Sequence, residues 1–302
     1  MLDRLIGALG DEVRDPEEEA FITFSQPIPS HGLGMVDPKR TVLDITVAGR
    51  DFVIYQSPTV LSSNQKEGTT GAVLWKVTPL LAEWLSQQNI FKEYEVLGPN
   101  SSVIELGSGV SGMVTSCLAS SVRAYVATDQ VYALKLLKQN IAENTPSSVP
   151  ARSNGNRRTR ERPARAETDD LPSNVSVVPL DWEMDAVSSL QRVLKGPSQS
   201  PAELPNVGFD VVIACDCIYN EALIEPFVST CVDICELRQI GGAAAEPTVC
   251  IIAQQLRSPD VFESWLTSFH ARFRTWRLPD AFVTKELGEN SGFVVHIGLL
   301  RG

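Results

Sequence analysis

A short apolar run followed by three glycines is the feature that most constrains the fold. Residues 103–106 are typical of a buried strand, and Gly107, Gly109 and Gly112 follow them. Glycine lets the chain turn tightly and lets a ligand lie against the backbone where the next helix begins. The spacing also fits the G-x-G-x-x-G pattern of dinucleotide sites, and Asp129 lies where that pattern places an acid. The pattern predicts a strand, a glycine turn and a helix around a ligand that the glycines alone do not identify.

Glu105 distinguishes the candidate ligands, because it lies two residues before the first glycine. A carboxylate there would repel a pyrophosphate and would favour a ligand that carries an ammonium group. Together, Glu105, the glycines and Asp129 resemble the S-adenosylmethionine site of seven-stranded methyltransferases. That resemblance implies that Glu105 lies near the amino-acid end of the cofactor and that Asp129 binds the ribose hydroxyls. A Rossmann-type oxidoreductase that uses a nicotinamide cofactor remains the alternative.

Composition and charge restrict the class of protein. The chain has 302 residues, 43% of them hydrophobic, which is enough for one large domain or two. No apolar run reaches the ~18 residues that a membrane span needs, and the N-terminus is too acidic for a transit peptide. We therefore expect a soluble cytoplasmic protein, with the nucleus as the alternative, and no membrane partner. A net charge of −11 disfavours stable nucleic-acid binding and favours a basic partner, although it could serve solubility alone.

The cysteine and histidine residues give no support for metal or nucleophile chemistry. Most of the six cysteines lie inside apolar runs and no C-x-x-C pair is present, so we expect buried, reduced thiols and no metal site. The three histidines are scattered along the chain, which offers no nucleophile–histidine pair.

The pattern before the glycine stretch predicts three regions. Residues 1–40 are acidic and then rich in Pro and Gly, which indicates a flexible arm or a surface extension. Residues 41–56 alternate apolar and polar side chains around a turn at Gly49-Arg50, which predicts a β-hairpin. An amphipathic helix is predicted within residues 68–88, with Trp75 just before it.

After the glycine stretch, predicted strands at residues 123–128, 175–180, 209–214 and 248–253 alternate with helices. This order indicates an α/β fold with a mostly parallel, Rossmann-like sheet, within a single domain over residues 41–302. Three extended pieces at 273–278, 281–286 and 292–300 predict that the sheet ends with an antiparallel pair. Residues 145–173 have the composition of a disordered insert, for which an RNA-docking role is an alternative. Its arginines are Arg152, Arg157, Arg158, Arg160, Arg162 and Arg165.

The segments VLWKVTP, VIELGSGVSG, TDQ, LDW and ACDCIYNE occur in that order. On these segments the chain resembles the seven-stranded protein lysine methyltransferases often called family sixteen, and within them the fungal ribosomal protein lysine methyltransferase 5 group. The resemblance covers residues 42–300. It implies a monomeric S-adenosylmethionine-dependent enzyme that methylates a lysine of a protein, a large-subunit ribosomal protein being the expected substrate.

The resemblance also implies roles for particular residues. The expected cofactor contacts are Trp75, Glu105, Gly107, Ser108, Gly109, Asp129, Trp182 and Ala214. Asp216 and Tyr219, which follow the fourth strand, are the expected catalytic pair, in which the acid attracts and orients the amine and the ring lines the lysine slot. On spacing alone, Asp216 could instead cap the next helix.

Two other classes of function remain as alternatives to a protein lysine methyltransferase. A methyltransferase for another protein, a small molecule or a nucleic acid would share the fold. The asparagine-proline-proline-aromatic motif of amino-group methylation on bases or glutamine is, however, absent from CDCIYN. A catalytically silent binding module is disfavoured because the glycines and acids are intact.

Overall fold

The computed structural model describes residues 2–30, 32–62, 69–145, 171–195, 208–239 and 246–302. The insert predicted at residues 145–173 falls almost wholly outside these ranges. Its disorder therefore stays a prediction.

A seven-stranded sheet forms the centre of the molecule, and a two-stranded hairpin lies beside it. Along the seven-stranded sheet the order is β5-β4-β3-β6-β7-β9-β8, and β9 is antiparallel to both of its neighbours while the other pairs are parallel. This confirms the predicted α/β fold with a mostly parallel sheet and an antiparallel last strand. The strands are β1 (Val42–Val47), β2 (Arg50–Tyr55), β3 (Ser102–Leu106), β4 (Ala124–Asp129), β5 (Val175–Pro179), β6 (Val211–Cys215), β7 (Val249–Gln255), β8 (Phe273–Arg277) and β9 (Phe293–Leu300).

Helices cover both faces of the sheet, and none of those described is long and apolar enough to cross a bilayer. Because side chains alternate along a strand, Val103 packs on one face of the sheet, while Ile104 and Leu106 pack on the other. The helices are α1 (Leu2–Leu9), α2 (Pro16–Ser25), α3 (Pro58–Leu61), α4 (Val77–Ser86), α5 (Ile90–Glu93), α6 (Met113–Leu118), α7 (Val131–Asn144), α8 (Leu190–Lys195), α9 (Ile224–Gln239) and α10 (Pro259–Arg272).

The hairpin β1–β2 has the predicted strands, but its turn lies one residue earlier than expected. Ala48 and Gly49 both have positive φ, 50° and 73°, as a two-residue hairpin turn requires. Two asparagines of α7 hold the hairpin against the sheet. Asn140 and Asn144 each donate to and accept from the backbone of β2, at 2.8 to 2.9 Å.

The first 25 residues correct the prediction of a flexible arm over residues 1–40. Leu2, Leu5 and Leu9 form a buried stripe on α1, and their spacing of three and four residues is helical. Asp15 caps α2 by accepting from the backbone of Glu17 at 2.9 Å, and α2 packs against α10. The many acids obscured this pattern in the sequence. Glu17 and Glu18 of α2 are exposed, whereas Glu19 faces inward and pairs with Arg277 at 3.2 Å.

The C-terminal segment agrees with two of its three predicted extended pieces. Residues 273–278 and 292–300 contain β8 and β9. The middle piece is wrong, since residues 280–282 form a 3-10 turn that follows Pro279. Phe282 and Val283 pack against the core, and the carbonyl of Phe282 accepts from Trp84 Nε1 at 2.8 Å.

All six cysteines are free and buried, which confirms the prediction of reduced thiols. Cys235 and Cys250 approach to 3.8 Å between α9 and β7 without forming a disulfide. Within the described ranges, no group of three or more His, Cys, Asp or Glu residues could hold a metal ion.

Candidate active site

A cavity of about 330 Å³ opens at the carboxyl ends of β3, β4 and β6. The order of the strands reverses between β3 and β6, because β4 and β5 lie on one side of β3 while β6 and β7 lie on the other. Open α/β sheets bind their ligands at such a switch point, and ligand pockets usually have volumes of about 300 to 1,000 Å³. The cavity is therefore the candidate active site.

Eight of the ten residues predicted for the site line this cavity. They are Trp75, Gly107, Ser108, Gly109, Asp129, Trp182, Asp216 and Tyr219. They come from the ends of four strands, β3, β4, β5 and β6, and from the segment before α4, so the fold brings together residues that are up to 144 positions apart, the separation of Trp75 and Tyr219.

Glu105 and Ala214 are not part of the cavity wall, so their contact with the cofactor stays a prediction. The carboxylate of Glu105 lies beneath the glycine turn, where its Oε2 accepts from Thr115 Oγ1 at 2.9 Å and from Tyr125 Oη at 2.8 Å. Ala214 is fully buried inside β6, and the next residue, Cys215, reaches the cavity instead.

Burial gives Glu105 unusual acid-base behaviour. Desolvation raises its pKa to about 7, against the opposing effect of the hydrogen bonds from Tyr125 and Thr115. Neutral hydroxyl donors offset part of the cost of burying a charge, but no cation lies beside this carboxylate among its partners. Glu105 therefore supports the turn from below rather than presenting a charge to the cavity.

The glycine turn leaves no room for larger side chains at two positions. A Cβ on Gly107 would lie 2.8 Å from the Sγ of Cys217, and a Cβ on Gly109 would lie 3.3 Å from the carbonyl oxygen of Gly71. Both glycines also have positive φ, 66° and 60°, which side-chain-bearing residues rarely adopt. The turn consequently exposes backbone to the cavity.

Asp129 ends β4 and joins the glycine turn directly. Its Oδ2 accepts from the backbone N–H of Gly109 at 2.7 Å, and its Oδ1 accepts from that of Gln130 at 2.8 Å. Burial raises the pKa of Asp129 to about 6, against the effect of these two backbone donors. Each carboxylate oxygen retains acceptor capacity, so Asp129 can also accept from a pair of ligand hydroxyls.

Two polar atoms in the cavity wall are buried without a well-formed hydrogen bond to any described residue. They are Ser108 Oγ and Gln130 Oε1, and both residues line the cavity. Buried polar atoms in folded proteins nearly always have partners, so two orphaned atoms in one wall indicate a missing polar ligand. The site therefore fits the nucleoside-like ligand that its acid and glycines imply.

The charged side chains of the wall are all acids. They are Asp129, Asp181, Glu183 and Asp216, and no lysine or arginine is part of the wall within the described ranges. A wall of this kind favours ligands with positive charge and disfavours phosphates. It disagrees with a nicotinamide dinucleotide and agrees with a sulfonium and an amine.

The segment from Thr70 to Trp75 forms one side of the cavity. Of this segment, the sequence predicted only Trp75 as a site residue. Thr70 Oγ1 donates to Tyr219 Oη at 3.0 Å, and Trp75 Nε1 donates to the carbonyl of Thr70 at 2.9 Å. The N–H of Gly71 donates to Tyr132 Oη at 3.1 Å. The GTTGA glycines were the only sequence signal for this segment, and they do not specify its partners.

Asp216 is held by an ion pair and is not a helix cap. Arg257 Nη1 donates to Asp216 Oδ1 at 2.7 Å and Nη2 contacts Oδ2, while the backbone N–H of Gln255 also donates to Oδ1 at 3.2 Å. Asn220 provides the cap instead, because its Oδ1 accepts from the N–H of Ala222 at 3.1 Å. The capping alternative is therefore wrong for Asp216. Arg257 was missed because it belongs to no motif.

Comparison with known proteins places the chain in a family. A family model described as "Lysine methyltransferase" matches residues 55–153. A protein of Zygosaccharomyces rouxii named ribosomal lysine N-methyltransferase 5 is 31% identical over 229 residues, which cover 72% of this chain and 69% of that protein. The chain belongs to the lysine methyltransferase family. The predicted resemblance is thereby confirmed.

Another protein that is similar to this chain has a different name. A Schizosaccharomyces pombe protein named diaminohydroxyphosphoribosylamino-pyrimidine deaminase is 29% identical over 280 residues, which cover 92% of this chain. The chain spans only 56% of that relative's length. Zinc-dependent nucleobase deaminases use an H-x-E segment and a P-C-x-x-C segment, and neither occurs in this sequence.

A solved structure with a related description is that of the N-methyltransferase NodS from Bradyrhizobium japonicum in complex with S-adenosyl-L-homocysteine. The match covers 73% of this chain and 93% of NodS, with 11% sequence identity and a TM-score of 0.37. At these values the match has no bearing on function.

Proposed function

We propose that this family member is an S-adenosylmethionine-dependent protein-lysine N-methyltransferase. The observation that carries the proposal is the cavity wall, whose four charged residues are all acids, with no basic residue in the wall among those described. One of the four, Asp216, is paired with Arg257 behind the wall, which leaves three acids in it with no ion pair to a described residue. Both reactants of lysine methylation, the sulfonium and the amine, are cations in water at neutral pH. Such a wall favours binding of both.

We assign each reactant to one acid, and the strand order supports this assignment. Asp129 ends β4 and Asp216 follows β6, with β3 between them. Adjacent strands are about 4.8 Å apart, so the two acids belong to strands about 10 Å apart. In this arrangement Asp129 accepts from the ribose hydroxyls, while Asp216 and Tyr219 lie on the side where the amine enters.

The chemical step needs little acid-base catalysis. The lysine ammonium would lose one proton to water, and S-adenosylmethionine, held by Asp129 and the glycine turn, would supply a methyl group on a sulfonium. The amine nitrogen would take that methyl group, so that an N–C bond replaces the C–S bond and the products are a neutral thioether and a methylated ammonium. Positioning and electrostatics supply most of the rate in a displacement of this kind.

The chain's own residues position the amine. Asp216 can accept a hydrogen bond from the amine through Oδ2, and the ring of Tyr219 can contact a cation that enters beside it. Trp75 and Trp182 restrict the width of the cavity. Burial of Tyr219 raises its pKa, so this hydroxyl stays neutral at physiological pH.

The substrate we propose is a basic protein, with a ribosomal protein of the large subunit as the specific candidate. The names of the relatives support this choice. The acids at the cavity and the net charge of −11 also support it, because both are complementary to a basic protein. We propose that the enzyme acts as a monomer in the cytoplasm.

Labelled S-adenosylmethionine provides the test. Purified protein is incubated with the labelled cofactor and fractionated lysate, and protein and RNA are then separated. Label in a protein band, mapped to a lysine by mass spectrometry, supports the proposal. Label in RNA or in small molecules would instead support the other classes of methyltransferase. The Asp216→Asn variant serves as the control for contaminating enzymes.

A further inference from the structure

Arg257, which follows β7, holds the carboxylate of Asp216 with both ends of its guanidinium group. Nη1 and Nη2 each face one carboxylate oxygen, and the Asp216 side chain is only 1% exposed. Two parallel bonds fix the plane of a carboxylate as well as its position. A carboxylate this deeply buried needs such a partner, since an unpaired buried charge is costly.

Arg257 is itself fixed by three other groups. Its Nε donates to the carbonyl of Leu33 at 3.0 Å, its Nη2 donates to Gln255 Oε1 at 3.2 Å, and its guanidinium lies 5.1 Å from the ring centre of Trp75. Gly34 leaves the space for this arrangement, because a Cβ there would approach Arg257 Nη2 to 2.5 Å. The fork is therefore held rigidly between the N-terminal region and the cavity wall.

The geometry leaves one carboxylate position open. Oδ1 of Asp216 already accepts from Arg257 and from the N–H of Gln255, whereas Oδ2 has Arg257 as its one hydrogen-bond donor among the described residues. Oδ2 thus keeps acceptor capacity, and Asp216 lines the cavity.

The ion pair also cancels the charge of Asp216. A lone carboxylate would hold the ammonium form of lysine, which has no lone pair and cannot attack a methyl group. Paired with Arg257, the same carboxylate can orient an amine without trapping it as the ammonium ion.

We infer that Arg257 is a positioning residue for methyl transfer, which acts by orienting Asp216 toward the incoming amine and by cancelling its charge. The inference rests on the proposed function. Arg257 is not part of the wall of the 330 Å³ cavity, and its guanidinium lies behind Asp216, so we assign its action to Asp216.

A double-mutant cycle on turnover tests this role. Arg257→Gln, Asp216→Asn and the combined variant are compared for kcat, for the KM of the protein substrate, for cofactor affinity and for melting temperature. We expect Arg257→Gln to lower kcat about tenfold with an unchanged or lower KM, because a lone Asp216 binds the ammonium form. The combined variant should lose no more than about twofold beyond Asp216→Asn alone, since both changes remove one function.

Arg238→Gln is the matched control. Arg238 pairs with Asp210 at the opposite end of β6, and its side chain is 19% exposed, compared with 21% for Arg257. Breaking that pair should leave kcat unchanged even if it lowers the melting temperature. A purely structural role for Arg257 would give the same result as this control.

Arg257→Lys keeps the positive charge but loses the two parallel donors of the guanidinium group. It tests the positioning role if Arg257→Gln does not fold. It should still lose about threefold or more in kcat, because one ammonium cannot fix both oxygens. Normal turnover in Arg257→Lys, or losses that multiply in the combined variant, would overturn the positioning role. A wild-type protein that methylates no protein would refute the proposed function instead, and the positioning role with it.

Discussion

The two halves of the cavity are built in different ways. The glycine half consists of Gly107, Ser108, Gly109 and Asp129, which lie within 23 consecutive residues. The acid-aromatic half consists of Thr70, Trp75, Asp216 and Tyr219, to which Arg257 adds the ion pair. One half is a local strand–turn–strand structure, whereas the other exists only after segments distant in sequence have packed together.

The two halves also treat buried acids differently. Glu105, below the glycine half, has only neutral hydroxyl donors on its carboxylate, and burial raises its pKa to about 7. Asp216, in the acid-aromatic half, has a guanidinium fork. The comparison indicates that the first half tolerates a neutral acid, while the second fixes a carboxylate in place with a guanidinium group.

The largest effect should come from removing Asp129 in the glycine half. One hydrogen bond to a charged acceptor contributes about 1.5 to 3 kcal/mol, so Asp129→Ala should weaken S-adenosylmethionine binding about 10- to 150-fold. Calorimetry measures this directly. Equal affinity in the variant and the wild type would show that ribose does not bind at the end of β4.

The same acid predicts a pH dependence of cofactor binding. The pKa of Asp129 is about 6, and its ionised form is the better acceptor for ribose hydroxyls. Affinity should therefore be constant above this pKa and fall about tenfold for each pH unit below it. Asp129→Ala supplies the control, because its affinity should not change over the same range. A flat wild-type profile would contradict a role for the carboxylate.

The contrast between the halves also explains how much the sequence could predict. Local patterns were sufficient for the sheet, for the glycine turn and for Asp129, because each depends on neighbouring residues. The contacts of Arg257 with Leu33 and Asp216 span 224 and 41 positions, and no local periodicity encodes such pairings. Glu105 was predicted in the right strand, but no local pattern showed that its carboxylate would accept from Thr115 and Tyr125 beneath the glycine turn.

Turnover should fall when Asp216, in the acid-aromatic half, is replaced by a neutral residue. Asp216→Asn is nearly isosteric, and we expect turnover to drop at least about tenfold, or about 1.4 kcal/mol of transition-state stabilisation. Cofactor affinity should change little, because the glycine half is intact. Single-turnover methylation of the identified substrate measures the chemical step. A normal rate would leave Asp216 with a structural role alone.

The buried carboxyl of Glu105 should make the stability of the fold depend on pH. Because its folded pKa of about 7 exceeds the ordinary value of 4.5, the folded state binds the proton more tightly. Its stabilising contribution is complete below the ordinary value and is lost as the pH rises through 7. Between about pH 6 and about pH 8 the wild type should lose about 1.4 kcal/mol relative to Glu105→Gln, which has no proton to lose. Melting temperatures of both proteins at the two pH values measure this difference. Parallel changes in both proteins would show that Glu105 does not titrate there.

The smallest effect should come from the hydrogen bond that joins the two sides of the acid-aromatic half. Tyr219 Oη accepts from Thr70 Oγ1 at 3.0 Å, and Tyr219→Phe removes this bond while keeping the ring. Because Tyr219 is 38% exposed, water can replace part of the lost bond, so we expect kcat to fall about two- to fivefold, or about 0.4 to 1 kcal/mol.

Thr70→Val removes the same bond from the other side and keeps the shape of the side chain. The two single variants should therefore have similar kcat values, and the double variant should be no slower than either, because a single interaction cannot be lost twice. Cofactor affinity should remain at the wild-type value in all three, since none of them alters the glycine half. If the effects of the two substitutions multiply, Thr70 and Tyr219 contribute to turnover independently, and the bond between them does not hold the acid-aromatic half together.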